Sequence, residues 1–151
     1  MTEVRAALLK DVDELHALGS GVSEFSVSRE TVTFWPKKTL RRAIESGDVF
    51  IRVAQDKDRL VGFIIASFSD GLKKAIIENI FVSPTHRGKK LGNDLLNRLL
   101  QDLRNCGCEY VATLIPQDAF GALSTYKDAG FTEGEVFVWL DRPLASSFKS
   151  S

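Results

Sequence analysis

Two groups of residues in this chain have types and spacing that suit chemistry. The loop Arg87-Gly88-Lys89-Lys90-Leu91-Gly92-Asn93 follows an apolar run ending in Phe81-Val82-Ser83-Pro84 and opens into an amphipathic stretch. A basic, glycine-containing loop there can turn several backbone N–H groups toward one point. The start of the following helix adds unpaired N–H groups and a partial positive charge. Together they make a seat for phosphate or pyrophosphate. The second group centres on Glu78, a carboxylate inside the apolar run Ile76–Val82. Burying a carboxylate is costly, so its place there is informative. It can take a proton directly or through water, or it can be a rim carboxylate paired with Lys73 or Lys74.

The elements that must position these groups can be read from periodicity. Lys74–Val82 reads as a strand, and Leu91, Leu95, Leu96, Leu99, Leu100 and Leu103 form the apolar stripe of a helix. Upstream, Val4–Leu8 reads as a strand and Lys10–Leu18 as a helix closing near Gly19, with His16 a partly buried structural residue. A helical region from Ser28 toward Ser46 is broken at Trp35-Pro36, because proline lacks a donor and disfavours helix in the residue before it. Val49–Ala54 and Leu60–Phe68 are strands. The second is nearly continuous apolar, which implies cover on both faces. Downstream, Tyr110–Ile115 reads as a strand, Asp118–Ala129 as a helix ended by Gly130, and Glu135–Leu140 as a strand. The expected fold is therefore α/β: an antiparallel meander followed by β-α-β in a mixed sheet, with helices on both faces. Residues 1–144 read as one domain and 145–151 as a flexible tail.

Composition narrows the classes. A chain of 151 residues, 44% of them hydrophobic, fits a single globular domain with a real core. Twenty Lys+Arg balance twenty Asp+Glu, which argues against a general nucleic-acid binder. There is no apolar run long enough for a bilayer and no signal-peptide pattern, so the expected compartment is the cytoplasm. Cys106 and Cys108 are the only cysteines. They are too close for an unstrained disulfide and too few for structural zinc, so they read as reduced thiols, and no metal is expected.

The segment Ile76–Leu100 resembles motif A of the GNAT superfamily, the general-control-related N-acetyltransferases. Arg87, Gly92 and the strand end Phe81-Val82-Ser83-Pro84 match. Lys90 stands where the family usually has its first glycine, which matters if the backbone there needs positive φ. Leu123–Phe131 looks like motif B, with Tyr126 on the family's tyrosine position, while Ala119 replaces an asparagine common in the family. The element order extends the resemblance across roughly Val4–Leu140.

The resemblance implies acetyl-CoA as co-substrate. It places the pantetheine amides on the backbone at Ile80, Phe81 and Val82, and the pyrophosphate on Arg87, Gly88, Lys89, Lys90, Leu91, Gly92 and Asn93. It makes Tyr126 the partner of the departing thiolate. A phenol of ordinary pKa near 10 is a suitable donor at neutral pH, although a core role beside Ala122, Leu123 and Ala129 stays open. Glu78 becomes the base or water relay that deprotonates the amine. Phe25, Phe34 and Trp35 fall in the region the family uses for acceptor recognition, where packing of the broken helix is an equal reading. The expected activity is acetyl transfer to a primary amine, on a small molecule or a protein. An acyl-CoA-binding sensor of weak catalysis is the alternative. No nucleic-acid or membrane partner is implied, and a homodimer is one open option.

Overall fold

The computed structural model describes residues 2–22, 34–142 and 144. These form β1 (Thr2–Ala6), α1 (Val12–Ser20), α2 (Lys37–Glu45), β2 (Val49–Asp56), β3 (Arg59–Ser69), β4 (Lys74–Val82), α3 (Leu91–Asn105), β5 (Tyr110–Thr113) and α4 (Phe120–Asp128). Short 3-10 turns at Leu9–Asp11 and Pro84–His86 lead toward α1 and α3. Helix α2 starts directly after Pro36, whose extended backbone begins the helix without requiring its missing donor. The part of the expected helical region before Phe34 lies outside the described residues, as does the tail 145–151.

The strands lie in the order β1-β2-β3-β4-β5. The first four are antiparallel, and β5 pairs parallel to β4 after the crossover through α3. Period-2 alternation along β3 explains its unbroken apolar run. Ile64 and Ala66 face one side, with Leu95, Leu96, Leu99 and Leu103 of α3. Phe63 and Ile65 face the other, with Leu15 of α1 and Leu40 of α2. A sheet covered on both faces needs apolar residues at every position of its central strand. Gly62 is required by close approach: a Cβ there would lie 2.8 Å from the Phe81 carbonyl oxygen and 3.2 Å from Leu95 Cδ1.

Polar pins fix the helices to the sheet. Asp11 accepts both guanidinium nitrogens of Arg5, at 2.7 and 2.9 Å, and the Leu8 amide at 2.7 Å. Asp102 of α3 accepts Arg52 Nε of β2 at 2.5 Å and Arg98 Nε at 3.0 Å.

Three expected strands differ. Strand β1 runs over Thr2–Ala6 rather than Val4–Leu8, because those are the residues that pair with Arg52–Asp56 of β2. Strand β5 stops at Thr113 rather than Ile115, because only Lys74–Ile77 of β4 runs beside it. The expected strand Glu135–Leu140 has no regular structure, and its side chains are exposed. Its β-type composition meets no ladder partner among the described residues, and an isolated strand has no hydrogen bonds to hold it.

Candidate active site

The site is an opening in the sheet. Strands β4 and β5 stay in register from Lys74↔Tyr110 to Ile77↔Thr113 and then separate. Past that point β4 continues to Val82, paired only with β3. Among the described residues, its other edge has no strand neighbour to take up its backbone donors and acceptors. An extended amide-bearing chain can bind such an edge as a further strand would.

Glu78 sits at this opening for a local reason. Ile65 pairs with Asn79 and Ala66 with Ile77, so Glu78 is the extra residue of a β-bulge. A bulge bends its strand and re-aims a side chain. Here strict alternation fails: Glu78 bonds to Ser67 and Asn79 accepts Trp35 Nε1 at 2.8 Å. Ile77 and Ile80 on either side pack against α3. The carboxyl keeps contact with solvent, yet desolvation by its surroundings raises its pKa, and the Ser67 hydrogen bond only partly opposes this.

Tyr126 approaches the opening from the α3 side. It is buried, at 4% exposure, with its ring at 5.1 Å from Phe131 in an edge-on contact. Burial raises its pKa, and a hydrogen bond with Thr113 works against that rise. Thr113 Oγ1 in turn donates to the Ile77 carbonyl at 3.1 Å. The hydroxyl of Tyr126 is thereby directed to the last paired rung between β4 and β5. Glu78 and Tyr126 belong to opposite faces of the sheet, and the gap beyond that rung is where the two faces communicate.

The loop–helix seat closes the far end of the gap. Arg87 Nε donates to the Val82 carbonyl at 2.9 Å, and its guanidinium lies 5.9 Å from the Phe81 ring centre. Lys90 begins α3 in the left-handed region at φ 60°, and Gly88 has φ 80°. Among described backbone groups, none accepts the amides from Gly88 through Asn93. Leu91 is buried and anchors the helix start, while Arg87, Gly88, Lys89 and Lys90 are exposed. A Cβ built at Gly92 would be 3.9 Å from Val82 Cγ2 and 3.9 Å from Thr125 Cγ2, so the seat lies between β4 and α4. The residues present fit a phosphate-bearing ligand: the amides at the start of α3 lack described backbone acceptors, and Lys89 and Lys90 lie in the same loop.

Of the residues singled out for acceptor contact, Trp35 is half-buried and hydrogen-bonded to Asn79 beside Glu78. Phe34 is 8% exposed and packs in a tilted contact, with ring centres 5.5 Å apart, on Phe63 in the core, where a side chain at Gly19 would overlap its ring. Phe25 lies outside the described residues. Sequence reasoning missed Ser67, Asn79 and Thr113, because partners across strands carry no local signal. It also missed His86, whose Nε2 is 2.8 Å from Asp56 Oδ2 and whose Nδ1 is 2.9 Å from Thr85 Oγ1. That pair ties the turn before the seat to the β2–β3 hairpin and holds the Asp56 carboxyl below the usual range.

Fold and site define a class: α/β proteins whose mixed sheet opens between two parallel strands beside a glycine-containing loop at a helix start. The model of the acetyltransferase (GNAT) family matches residues 20–131, and the chain belongs to that family. The L-methionine sulfoximine/L-methionine sulfone acetyltransferase of Salmonella typhimurium is 29% identical over 87 residues, 54% of this chain and 50% of its own. The L-amino acid N-acyltransferase MnaT of Escherichia coli is 29% identical over 86 residues, 54% of this chain and 49% of its own. The chain thus spans about half the length of the curated relatives it matches. Among solved structures, AAC(6')-Iy in complex with the bisubstrate analogue CoA-S-monomethyl-acetylneamine has the same fold. Its TM-score is 0.76 at 16% identity, over 95% of this chain and 99% of that one. Among the described residues, no helix is long and apolar enough to cross a membrane.

Proposed function

We propose that this chain is an N-acetyltransferase that moves the acetyl group of acetyl-CoA to a primary amine on a small molecule by direct attack. The observation that carries the reading is the gap between β4 and β5. A raised-pKa carboxylate lies on one face of it, a buried phenol on the other, and a phosphate seat at its end.

When bound, the thioester supplies the acyl group. The amine nitrogen forms the new C–N bond as the C–S bond breaks, and one proton passes from nitrogen and one to sulfur. The chain's residues do the following. The free edge of Ile80, Phe81 and Val82 holds the ligand's amides in a strand-like ladder. The amides from Gly88 to Asn93, with Lys89 and Lys90, hold its pyrophosphate, and Arg87 braces the end of β4. Glu78 takes the amine proton, directly or through water. Its raised pKa brings it closer to the working pH, where a base is most effective. Tyr126 stays protonated because burial raises its pKa, and its O–H, which bonds Thr113 in the structure, turns to donate to the developing thiolate. Trp35, beside Glu78, borders the acceptor.

A small amine is supported by relatives whose names record acetylation of an amino-acid derivative and acylation of amino acids. The chemistry needs no metal. The cytoplasm is the proposed setting, where the free Cys106 and Cys108 stay reduced.

The test is a thermal-shift titration with acetyl-CoA and with ATP, followed by thiol release across a panel of amines. Acetyl-CoA at 100 times its Kd adds about 2.7 kcal/mol of apparent stability. An equal shift with ATP, or none with acetyl-CoA, overturns the reading.

A further inference from the structure

We propose that Asn79 sets the acceptor class: its side-chain amide donates to an oxygen on the carbon next to the one that carries the reacting amine. The assignment rests on the acetyl-transfer reading above, under which amino alcohols and α-amino acyl compounds are taken ahead of alkylamines and diamines. The β-bulge gives Asn79 its place. In regular alternation Glu78 and Asn79 would point to opposite faces of β4. Instead Asn79 pairs with Ile65 while Glu78 bonds Ser67, and Ile65 and Ser67 lie two apart on one face of β3. Phe81 extends that row, paired with Phe63 at 5.7 Å between ring centres. A carboxylate, a carboxamide and an aromatic ring therefore stand in a row at the gap, on the face that α1 and α2 cover.

Chemistry fixes which way the Asn79 amide faces. An indole N–H can only donate, so the atom that Trp35 Nε1 meets at 2.8 Å is Oδ1. Nδ2 keeps both of its hydrogens. Among the described residues no group accepts them, and no buried side-chain nitrogen lacks a partner, so Nδ2 reaches solvent. Trp35 is half-buried and packs against the core on the α1 and α2 side, which holds the indole, and through it the amide, in one orientation.

The site thus offers a proton acceptor and a hydrogen-bond donor one residue apart. Consecutive Cα atoms are about 3.8 Å apart. That spacing suits a ligand whose amine and oxygen sit on adjacent carbons rather than at the two ends of a long chain. Glu78 takes the proton of the amine, and Asn79 Nδ2 donates to the oxygen. A methyl group in place of the oxygen leaves the amide desolvated and unpaired. A second ammonium there brings only donors to a donor. The carboxamide is neutral and serves a hydroxyl, a carbonyl or a carboxylate oxygen alike. A site built to hydrogen-bond a substrate group discriminates strongly against the analogue that lacks it.

The experiment measures kcat/KM for the amine, by thiol release at saturating acetyl-CoA, on the full chain, on Asn79→Asp and on Trp35→Phe. Ethanolamine, glycinamide and glycine carry the oxygen as hydroxyl, carbonyl and carboxylate, and the best of them names its source. Propylamine and ethylenediamine lack it. Asn79→Asp keeps an oxygen for Trp35 and removes the donor, while Trp35→Phe frees the amide to turn. Each preference is a ratio between two acceptors, compared between wild type and variant, which cancels the differing basicity of the amines. The preference for ethanolamine over propylamine should fall roughly 10–10²-fold in Asn79→Asp. The preference for ethylenediamine over propylamine should rise in that variant, because a carboxylate now faces the second ammonium. Trp35→Phe should lower the first ratio and leave the second. Circular dichroism and the thermal shift with acetyl-CoA identify folded, loaded variants, and if one fails to fold the other decides. A residue that only pins the sheet slows every acceptor alike, so unchanged ratios in a folded variant overturn the proposal and leave the acetyl-transfer reading standing. A wild type that takes propylamine as readily as the oxygen-bearing amines does the same. A wild type that releases no thiol with any amine overturns the acetyl-transfer reading, and the role of Asn79 with it.

Discussion

At the residue scale, the proposed mechanism rests on two groups, Glu78 and Tyr126, whose pKa values are raised by desolvation. For Glu78 the rise means the ionised carboxylate is less favourable folded than unfolded. Its cost appears as pH rises through the ordinary glutamate range and persists at neutral pH. Glu78→Gln should therefore melt at an equal or higher temperature while losing activity. The acidic limb of the wild-type pH–rate profile should disappear in the variant, and acetyl-CoA affinity should hold. Wild-type rates from about pH 6 to 9 in the variant would take Glu78 out of the mechanism. Tyr126→Phe keeps the ring against Phe131 and removes the hydroxyl bonded to Thr113. Stability should fall by about 1 kcal/mol, the scale of one net hydrogen bond. Turnover should fall roughly 10²–10³-fold with little change in KM for acetyl-CoA, because the donor acts as the C–S bond breaks. Unchanged thiol release would leave Tyr126 a packing residue.

At the element scale, the start of α3 holds a lysine in a conformation better suited to glycine. The left-handed backbone at Lys90 costs roughly 1–2 kcal/mol for a residue with a Cβ. Lys90→Gly should recover about 1 kcal/mol of stability while removing one cation from the seat. Equilibrium denaturation and acetyl-CoA titration of the same variant separate the two effects: stability up, affinity down. A destabilised variant would mean that the Lys90 side chain makes a stabilising contact of its own. The β-bulge at Glu78 is a second feature of this scale. It spoils the alternation of β4 at the place where the sheet opens, which is how a polar pair, Glu78 and Asn79, comes to interrupt an apolar strand without entering the core beneath α3.

At the scale of the whole molecule, the first turn is secured to the sheet by one carboxylate. Asp11 is 5% exposed. Desolvation alone would raise its pKa, but the Arg5 hydrogen bond and the Leu8 amide outweigh it, and the net shift is downward. A lowered carboxyl pKa contributes stability above the ordinary aspartate range and loses it as pH falls through the folded value. Asp11→Asn removes the charged partner of Arg5, which keeps Gln55 Oε1 and the Ala6 carbonyl, and should cost about 2 kcal/mol at pH 7. The gap between wild type and variant in urea midpoints should close in acid, below about pH 4. A constant gap down to acid unfolding would show that the pair is not the source.

Much of the architecture was legible because it rests on local rules. Strand β4 runs over the residues its apolar run predicts, and α3 carries the leucine stripe its 3.6-residue period requires. The proposal of an anion seat at the glycine and lysine loop before α3 could be made from the sequence because the donors of a helix start come from the backbone, whatever the partner. Tertiary structure decided the rest. Phe34 and Trp35 are adjacent aromatics of similar pattern, yet one fills the core against Phe63 and the other bonds Asn79 at the rim. Thr113 joins Tyr126 to Ile77 only because β5 lies parallel to β4 and ends there. Glu135–Leu140 has the composition of a strand and pairs with no strand among the described residues. Helical period and turn chemistry are satisfied within the segment that carries them. A strand, a bulge and a cross-strand hydrogen bond each need a partner distant in sequence, and the sequence by itself does not name that partner.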